Sequence, residues 1–246
     1  TNEREAIEFL KFAAEKSVEF FDTANVYGLG RNEELIGKAL SNKENVVIAT
    51  KAGCTRPGGV GWGTDGRPEH IKKAFQESLQ RLNLKKIFLY QLHAPDSRIP
   101  IKESLKAFKE LKDEGLIEHI GVSNFSLEQV KEAQKIVDVV SVQNHFNIAH
   151  KWDEKDLLPY LTKENIAYLC YFPLGSGRLL KNSKIIEIAQ SLSFTPSQIV
   201  LSWITTRWPT AIPIPGTSKK EHLIENLKAA DIKLPDNIIK KIDSLF

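Results

Sequence analysis

Asp22, Tyr27, Lys51 and His93 are the residues of this sequence whose types and positions suit the transfer of a proton to an oxygen. Asp22 closes an apolar run, Val18–Phe21, and Tyr27 follows five residues later, just before Gly28. Lys51 ends the run NVVIATK, and His93 ends IFLYQLH. A phenol has an unperturbed pKa of about 10, so it releases a proton near neutral pH more readily beside a cation, and Lys51 is the expected cation. A lysine at the end of a buried strand is costly unless a carboxylate pairs with it, which gives Asp22 a role. An imidazole that donates a hydrogen bond to a carbonyl oxygen would polarise and orient it. Singly, each residue has an ordinary reading: a helix cap, a loop aromatic, a solvated strand end, a core imidazole. Jointly, at the ends of three different strands, they point to an active site.

Those positions depend on the elements around them. Helical spacing of Ala6, Phe9, Leu10, Ala13 and Ala14, with Asn2 as N-cap, predicts a helix over Glu3–Lys16. Strand and helix then alternate: Val18–Asp22, a helix near Asn32–Leu40, Val46–Lys51, a helix near Pro68–Leu82, Ile87–His93 and a helix near Ile101–Glu114. Further strands are expected at Ile120–Ser123, Val139–Asn144, Ile166–Phe172 and Ala211–Pro215, each followed by helical patterning, the first of these by a helix through Gln129–Ile136. The seven strands so counted are short, apolar and nearly unalternating, as strands buried on both faces must be. This is the pattern of a parallel α/β barrel, in which chemistry is carried at the strand ends. A closed barrel of this class has eight strands. A first strand missing from this chain is therefore expected, and the absence of any methionine points the same way.

The 246 residues, 41% hydrophobic and 26% charged, are enough for one barrel domain spanning 1–246, N-terminally incomplete. A formal net charge of +3 with scattered basic residues argues against a nucleic-acid surface and suits a phosphate-bearing cofactor. The two cysteines, Cys54 and Cys170, have no metal-like or CxxC spacing, so a reducing compartment and no metal are expected. Cys170 reads as a buried thiol and Cys54 as a bystander near Lys51. No apolar run approaches membrane-spanning length and no basic-then-apolar leader is visible, which makes a cytoplasmic location the simplest expectation.

The motifs FFDTANVYG, NEELIGKAL, TKAG, LYQLHAPD, GVSNFS and IPIPGTSKKEHLIEN, in this order, resemble the aldo-keto reductase superfamily over nearly the whole chain. The resemblance implies a (β/α)8 barrel, NADP(H) bound without a Gly-rich Rossmann turn, and reversible reduction of a small carbonyl compound. It implies Tyr27 as general acid, supported by Asp22, Lys51 and His93. Ser123, Asn124 and Gln143 match positions that hold the nicotinamide carboxamide, and Tyr171 the aromatic stacked on its ring. Leu174, Gly175 and Ser176 follow in a small-residue turn whose backbone N–H groups are expected to serve the pyrophosphate, with Arg178 nearby as a charge. Gly216, Thr217, Ser218, Lys219 and His222 match the 2′-phosphate end, and Glu225 and Asn226 the adenine edge. Two departures stand out. Ser17 replaces the glycine usual before the FFDTA strand, where a left-handed backbone is favoured. His222 stands where many NADP-preferring members carry arginine, giving a shorter, pH-dependent charge.

Trp62, Phe146 and Trp152 are aromatic candidates for the pocket rim. The Gly-rich loop TRPGGVGWGTDGRPEH resembles a pyridoxal-reductase-like branch, which implies an aromatic aldehyde; a generic aldehyde scavenger fits as well. Two rival readings remain at this point. One is a cofactor-holding binding protein like the potassium-channel β-subunits. The other is a barrel isomerase or aldolase with Lys51 as Schiff-base nucleophile, which requires a neutral lysine.

Overall fold

A computed structural model of the protein describes residues 2–246. Helix α1 (Glu3–Glu15) is followed by β1 (Phe20–Asp22), α2 (Arg31–Leu40), β2 (Val47–Ala52) and two short strands, β3 (Cys54–Thr55) and β4 (Gly63–Thr64). Next come α3 (Pro68–Leu82), β5 (Ile87–Leu92), α4 (Ile101–Asp113), β6 (Ile117–Ser123), α5 (Leu127–Gln134) and β7 (Val139–His145). The remainder comprises α6 (Leu157–Lys163), β8 (Ala167–Tyr171), α7 (Ser183–Ser191), α8 (Pro196–Arg207), β9 (Ala211–Pro213), α9 (Lys220–Leu227) and α10 (Asp236–Asp243). Seven strands form one sheet in the order β1-β2-β5-β6-β7-β8-β9, and β3 and β4 form a separate antiparallel hairpin. The alternation and the seven strands of the sheet agree with the sequence pattern, whereas the β3–β4 hairpin adds two strands that the sequence did not announce. Two compact units divide the chain, Thr1–Val142 and Gln143–Phe246.

In the first unit β1 pairs with β2, β2 with β5 and β5 with β6, all parallel. The register sets Asp22 level with Ala49, Lys51 level with Gln91, and Gln91 level with Gly121. At Gly121 a Cβ would come within 2.3 Å of Ser141 Oγ and 2.9 Å of Gln91 Cγ, so only glycine lets the buried Gln91 side chain pass. Helix α2 is fastened from within by Glu33. Its buried carboxylate accepts from Thr50 Oγ1 at 2.6 Å and from Arg81 Nε at 2.7 Å, tying α2 to β2 and α3. Satisfying both oxygens is what makes a buried carboxylate tolerable.

Helix α1 begins with a capping box between Asn2 and Glu5. It ends with Ser17 N–H bonding Ala14 O and Val18 N–H bonding Ala13 O, a Schellman closure that requires a left-handed residue at its centre. Ser17 supplies it at φ +63°, so the expected departure from glycine is a real local strain.

In the second unit β8 pairs parallel with β9. Phe146, Tyr168 and Trp203 form its aromatic centre, with Phe146 stacked on Trp203 at 6.0 Å and edge-on to Tyr168 at 5.6 Å. Phe146 is fully buried, so it is a packing residue and not a rim aromatic; its neighbours on β8 and α8 enclose it. The buried polar handles find partners: Tyr168 donates its hydroxyl proton to Asp153 at 2.6 Å, and Trp203 Nε1–H to Asp243 at 3.0 Å.

Candidate active site

The first unit brings Asp22, Tyr27, Lys51 and His93 together. Asp22 is the last residue of β1, and the turn after it folds Tyr27 back with its N–H on Ala24 O. Gly28 and Leu29 adopt left-handed backbones, at φ +58° and +55°, to complete that reversal. Lys51 is fully buried and donates to Asp22 Oδ2 at 2.5 Å and to Thr23 O at 2.7 Å. With two of its three N–H bonds so directed, the ammonium lies 5.1 Å from the centre of the Tyr27 ring. Gln91 donates to Asp22 Oδ1 at 3.3 Å, bracing the carboxylate from β5. A lysine held by a carboxylate and a carbonyl is a poor nucleophile, which removes support from the Schiff-base reading.

His93 follows β5, with its N–H on Ala52 O at 2.8 Å and its ring edge-on to Tyr27 at 5.8 Å. Burial, reinforced by the Lys51 charge, lowers its pKa from 6.5 to about 3, so the imidazole is neutral at physiological pH. Its Nδ1 is buried and has no hydrogen-bond partner among the described residues. Burial, then the Asp22 carboxylate and Cys54, push the Tyr27 hydroxyl well above its ordinary value. The expected easing of this phenol by Lys51 is thus outweighed by desolvation, and Tyr27 stays protonated at neutral pH. Burial also lowers Lys51, with Asp22 opposing the effect. Cys54 is closer than a bystander: it packs with Ala24, Val26 and Tyr27, and burial raises its thiol to about 11.

Ser123 ends β6, and Asn124 continues it in a left-handed turn at φ +61°. Asn124 Nδ2 donates to His93 O at 2.8 Å and lies 3.2 Å from Ser123 Oγ, so both residues adjoin the histidine.

The remaining expected residues belong to the second unit. Gln143 is buried on β7, and Tyr171 ends β8. Tyr171 is stacked on His145 at 5.4 Å, and His145 on His150 at 3.9 Å. A tight turn makes this column: Asn147 and His150 exchange backbone hydrogen bonds, which lays His150 over His145. Asn147 Nδ2 also donates to Phe172 O at 3.0 Å, holding Phe172 at φ +51°. Leu174 precedes a 3₁₀ turn over Gly175–Gly177 that holds Ser176, and Arg178 lies between this turn and a second over Leu179–Lys181. Gly216, Ser218, Lys219 and His222 are exposed before and within α9, where no side chain caps the helix start. Glu225 accepts from Ser197 Oγ, and Asn226 is the next residue of α9.

Sequence reasoning missed Gln91, His145 and His150. Gln91 had a signal, a lone amide in the apolar strand IFLYQL, whereas the histidine column depends on a turn that no spacing announces. Trp62, one of the rim candidates, lies edge-on to His93 at 6.2 Å and is well exposed. Trp152, also exposed, donates its indole N–H to His150 Nδ1 at 3.2 Å.

A phenol, an ammonium and an imidazole thus meet near strand ends of an alternating β/α chain, and the comparisons with known proteins give the class, a family of oxidoreductases. The aldo/keto reductase family model matches residues 1–246, and the chain belongs to that family, whose fold is the (β/α)8 barrel. An uncharacterized oxidoreductase of Schizosaccharomyces pombe is 40% identical over 235 residues, 95% of this chain and 76% of the relative. Pyridoxine 4-dehydrogenase of Escherichia coli is 34% identical over 248 residues, 98% of this chain and 86% of the enzyme. Among solved structures, the thermostable aldo-keto reductase Tm1743, in complex with the inhibitor epalrestat, has a TM-score of 0.90 and 34% identity over 99% of this chain and 88% of its own. An aldo-keto reductase from Klebsiella pneumoniae, solved with NADPH, has a TM-score of 0.88 and 28% identity, covering 99% of this chain and 85% of its own. Among the described residues no helix is long and apolar enough to cross a membrane.

Proposed function

We propose that the protein is an NADPH-dependent carbonyl reductase that converts aldehydes or ketones to alcohols, with Tyr27 as general acid. The observation that carries this reading is the buried, still protonated phenol of Tyr27 beside a Lys51 ammonium held by Asp22 at 2.5 Å and a neutral His93. The nicotinamide cofactor, when bound, supplies a hydride to the carbonyl carbon. The carbonyl oxygen then gains negative charge, and the Tyr27 hydroxyl gives it a proton. The Lys51 ammonium stabilises the phenolate left behind, and Asp22, Thr23 and Gln91 hold that ammonium in place. Neutral His93 donates a hydrogen bond that orients the carbonyl. Positioned proton transfer of this kind contributes roughly 10²–10⁴-fold.

The residues fit the cofactor at several points. No side chain caps the start of α9, and a Cβ at Gly216 would meet nothing within 4 Å. Lys219 and His222 are exposed, and neither has a carboxylate within 4.0 Å among the described residues. Such a helix start with hydroxyls and an ammonium suits a phosphate. In this reading Gly216, Thr217, Ser218, Lys219 and His222 hold the 2′-phosphate, Glu225 and Asn226 the adenine, and Leu174, Ser176 and Arg178 the pyrophosphate. Ser123, Asn124 and Gln143 hold the carboxamide, with Tyr171 as stacking platform. The likeness to a pyridoxine 4-dehydrogenase favours an aromatic aldehyde as substrate.

The test is loss of NADPH absorbance with a panel of aromatic and aliphatic aldehydes. Turnover is expected, with aromatic aldehydes favoured. Tight NADPH binding without turnover of any carbonyl compound would overturn the catalytic reading in favour of a cofactor-holding role.

A further inference from the structure

The hairpin β3–β4 stands next to Tyr27 and carries a cation, Arg56, that has no carboxylate partner among the described residues. Its root is fixed: Asp65 N–H bonds Gly53 O at 2.8 Å, Arg98 donates to Thr64 O at 2.5 Å, and Cys54 packs against Tyr27. Its tip exposes Val60 and Trp62. The Trp62 indole has His93 at its edge, 6.2 Å away, and the Arg56 guanidinium over its face at 4.8 Å. Arg56 therefore stands one tryptophan away from the imidazole that faces Tyr27.

Six of the other seven arginines, Arg4, Arg31, Arg67, Arg81, Arg98 and Arg207, each have a carboxylate within 4.0 Å, whereas Arg178, in the second unit, has none among the described residues. Arg56 has none among the described residues. One terminal nitrogen donates to Gly59 O at 3.2 Å, and its Nε is buried without a partner. A partly desolvated guanidinium lacking a counter-ion is unfavourable alone and gains most from a planar anion that matches its fork. Stacking on Trp62 holds that fork in a set direction.

We propose that this hairpin selects the substrate: Trp62 lies against a planar ring, and Arg56 pairs with an anionic substituent on that ring, so that aromatic aldehydes bearing a carboxylate or similar anion are preferred over neutral ones. The inference rests on the carbonyl-reductase reading and adds the substrate's charge to it. Lys51 and His93 do not supply the second charge, since Lys51 is committed to Asp22 and His93 is neutral.

Two measurements test it. In the first, kcat/KM is determined for 4-carboxybenzaldehyde and for benzaldehyde. The unmodified protein should favour the carboxylated aldehyde about ten-fold or more, chiefly through KM. In Arg56→Gln the ratio of the two should fall about ten- to a hundred-fold, as loss of a charge-assisted hydrogen bond dictates. Arg56→Lys, which keeps the charge but not the fork, should lie between them. In the second, quenching of tryptophan fluorescence by terephthalate measures binding without turnover, with terephthalamide as neutral control. Terephthalate should bind more tightly than terephthalamide, and Arg56→Gln should erase the difference; circular dichroism of the variant checks its fold. Turnover of both aldehydes with equal kcat/KM, or with a ratio that Arg56→Gln leaves unchanged, would overturn the inference while sparing the reductase reading. If no aldehyde is turned over, the reductase reading fails separately. Terephthalate binding that depends on Arg56 would then still support the anion site, and binding indifferent to Arg56 would overturn it.

Discussion

At the scale of single residues, the site is governed by desolvation acting on groups of opposite sign. Burial holds the proton on Tyr27 and keeps it off His93, so both present neutral hydrogen-bonding groups at pH 7. Lys51 and Asp22 form the ion pair of the site. The types of these residues were legible in the sequence; the direction in which burial moves them was not, because desolvation depends on neighbours that only the fold supplies. His93 gives a testable consequence. Its folded pKa of about 3 lies below the unfolded value of 6.5, so its contribution to stability is full above pH 6.5 and is lost as pH falls from there toward 3, where only the unfolded chain binds the proton. Urea unfolding should therefore show the unmodified protein losing stability faster than His93→Gln between pH 6.5 and 4, by up to about 1.4 kcal/mol per pH unit. Parallel stability curves for the two would contradict this burial.

At the scale of elements, the strand ends do most to build the site, and they were readable because each apolar run stops at a polar residue. Helix α3 over Pro68–Leu82 was expected with its observed bounds, since Pro68 and the apolar spacing fix its start and phase. The hairpin β3–β4 was not readable, because its strands are two residues long and its glycines hide any alternation. The histidine column was missed for a related reason: it depends on the Asn147–His150 turn, not on a periodic face. Ser17 shows the opposite case, a strain foreseen from one residue and found at φ +63°. A left-handed non-glycine residue costs about 1–2 kcal/mol, partly offset by the greater freedom glycine has in the unfolded chain. Ser17→Gly should thus stabilise the protein by about 0.5–1 kcal/mol, seen as a small rise in Tm with unchanged turnover. A fall in Tm would mean that the serine makes a contact worth more than the strain.

At the scale of the whole molecule, the acid set and the expected phosphate-binding helix belong to different compact units, Thr1–Val142 and Gln143–Phe246. The two units therefore allow separable predictions. Lys219→Ala acts on the second unit alone and should weaken NADPH binding about ten- to a hundred-fold while changing NADH binding little, as measured by fluorescence titration. Equal affinity of the unmodified protein for NADH and NADPH would show that α9 does not read the 2′ position. Family, strand order and the residues at strand ends were legible because apolar runs and ordered motifs carry them along the chain. Substrate choice was not, since it rests on the conformation of one irregular hairpin. The central claim is that Tyr27 protonates the substrate oxygen, and Tyr27→Phe tests it most directly, with steady-state reduction of an aromatic aldehyde measured beside NADPH binding. Turnover should fall by roughly 10²–10⁴-fold while NADPH affinity stays within about two-fold, because the hydroxyl acts on the substrate and not on the cofactor. Turnover near that of the unmodified protein would remove Tyr27 from the acid role.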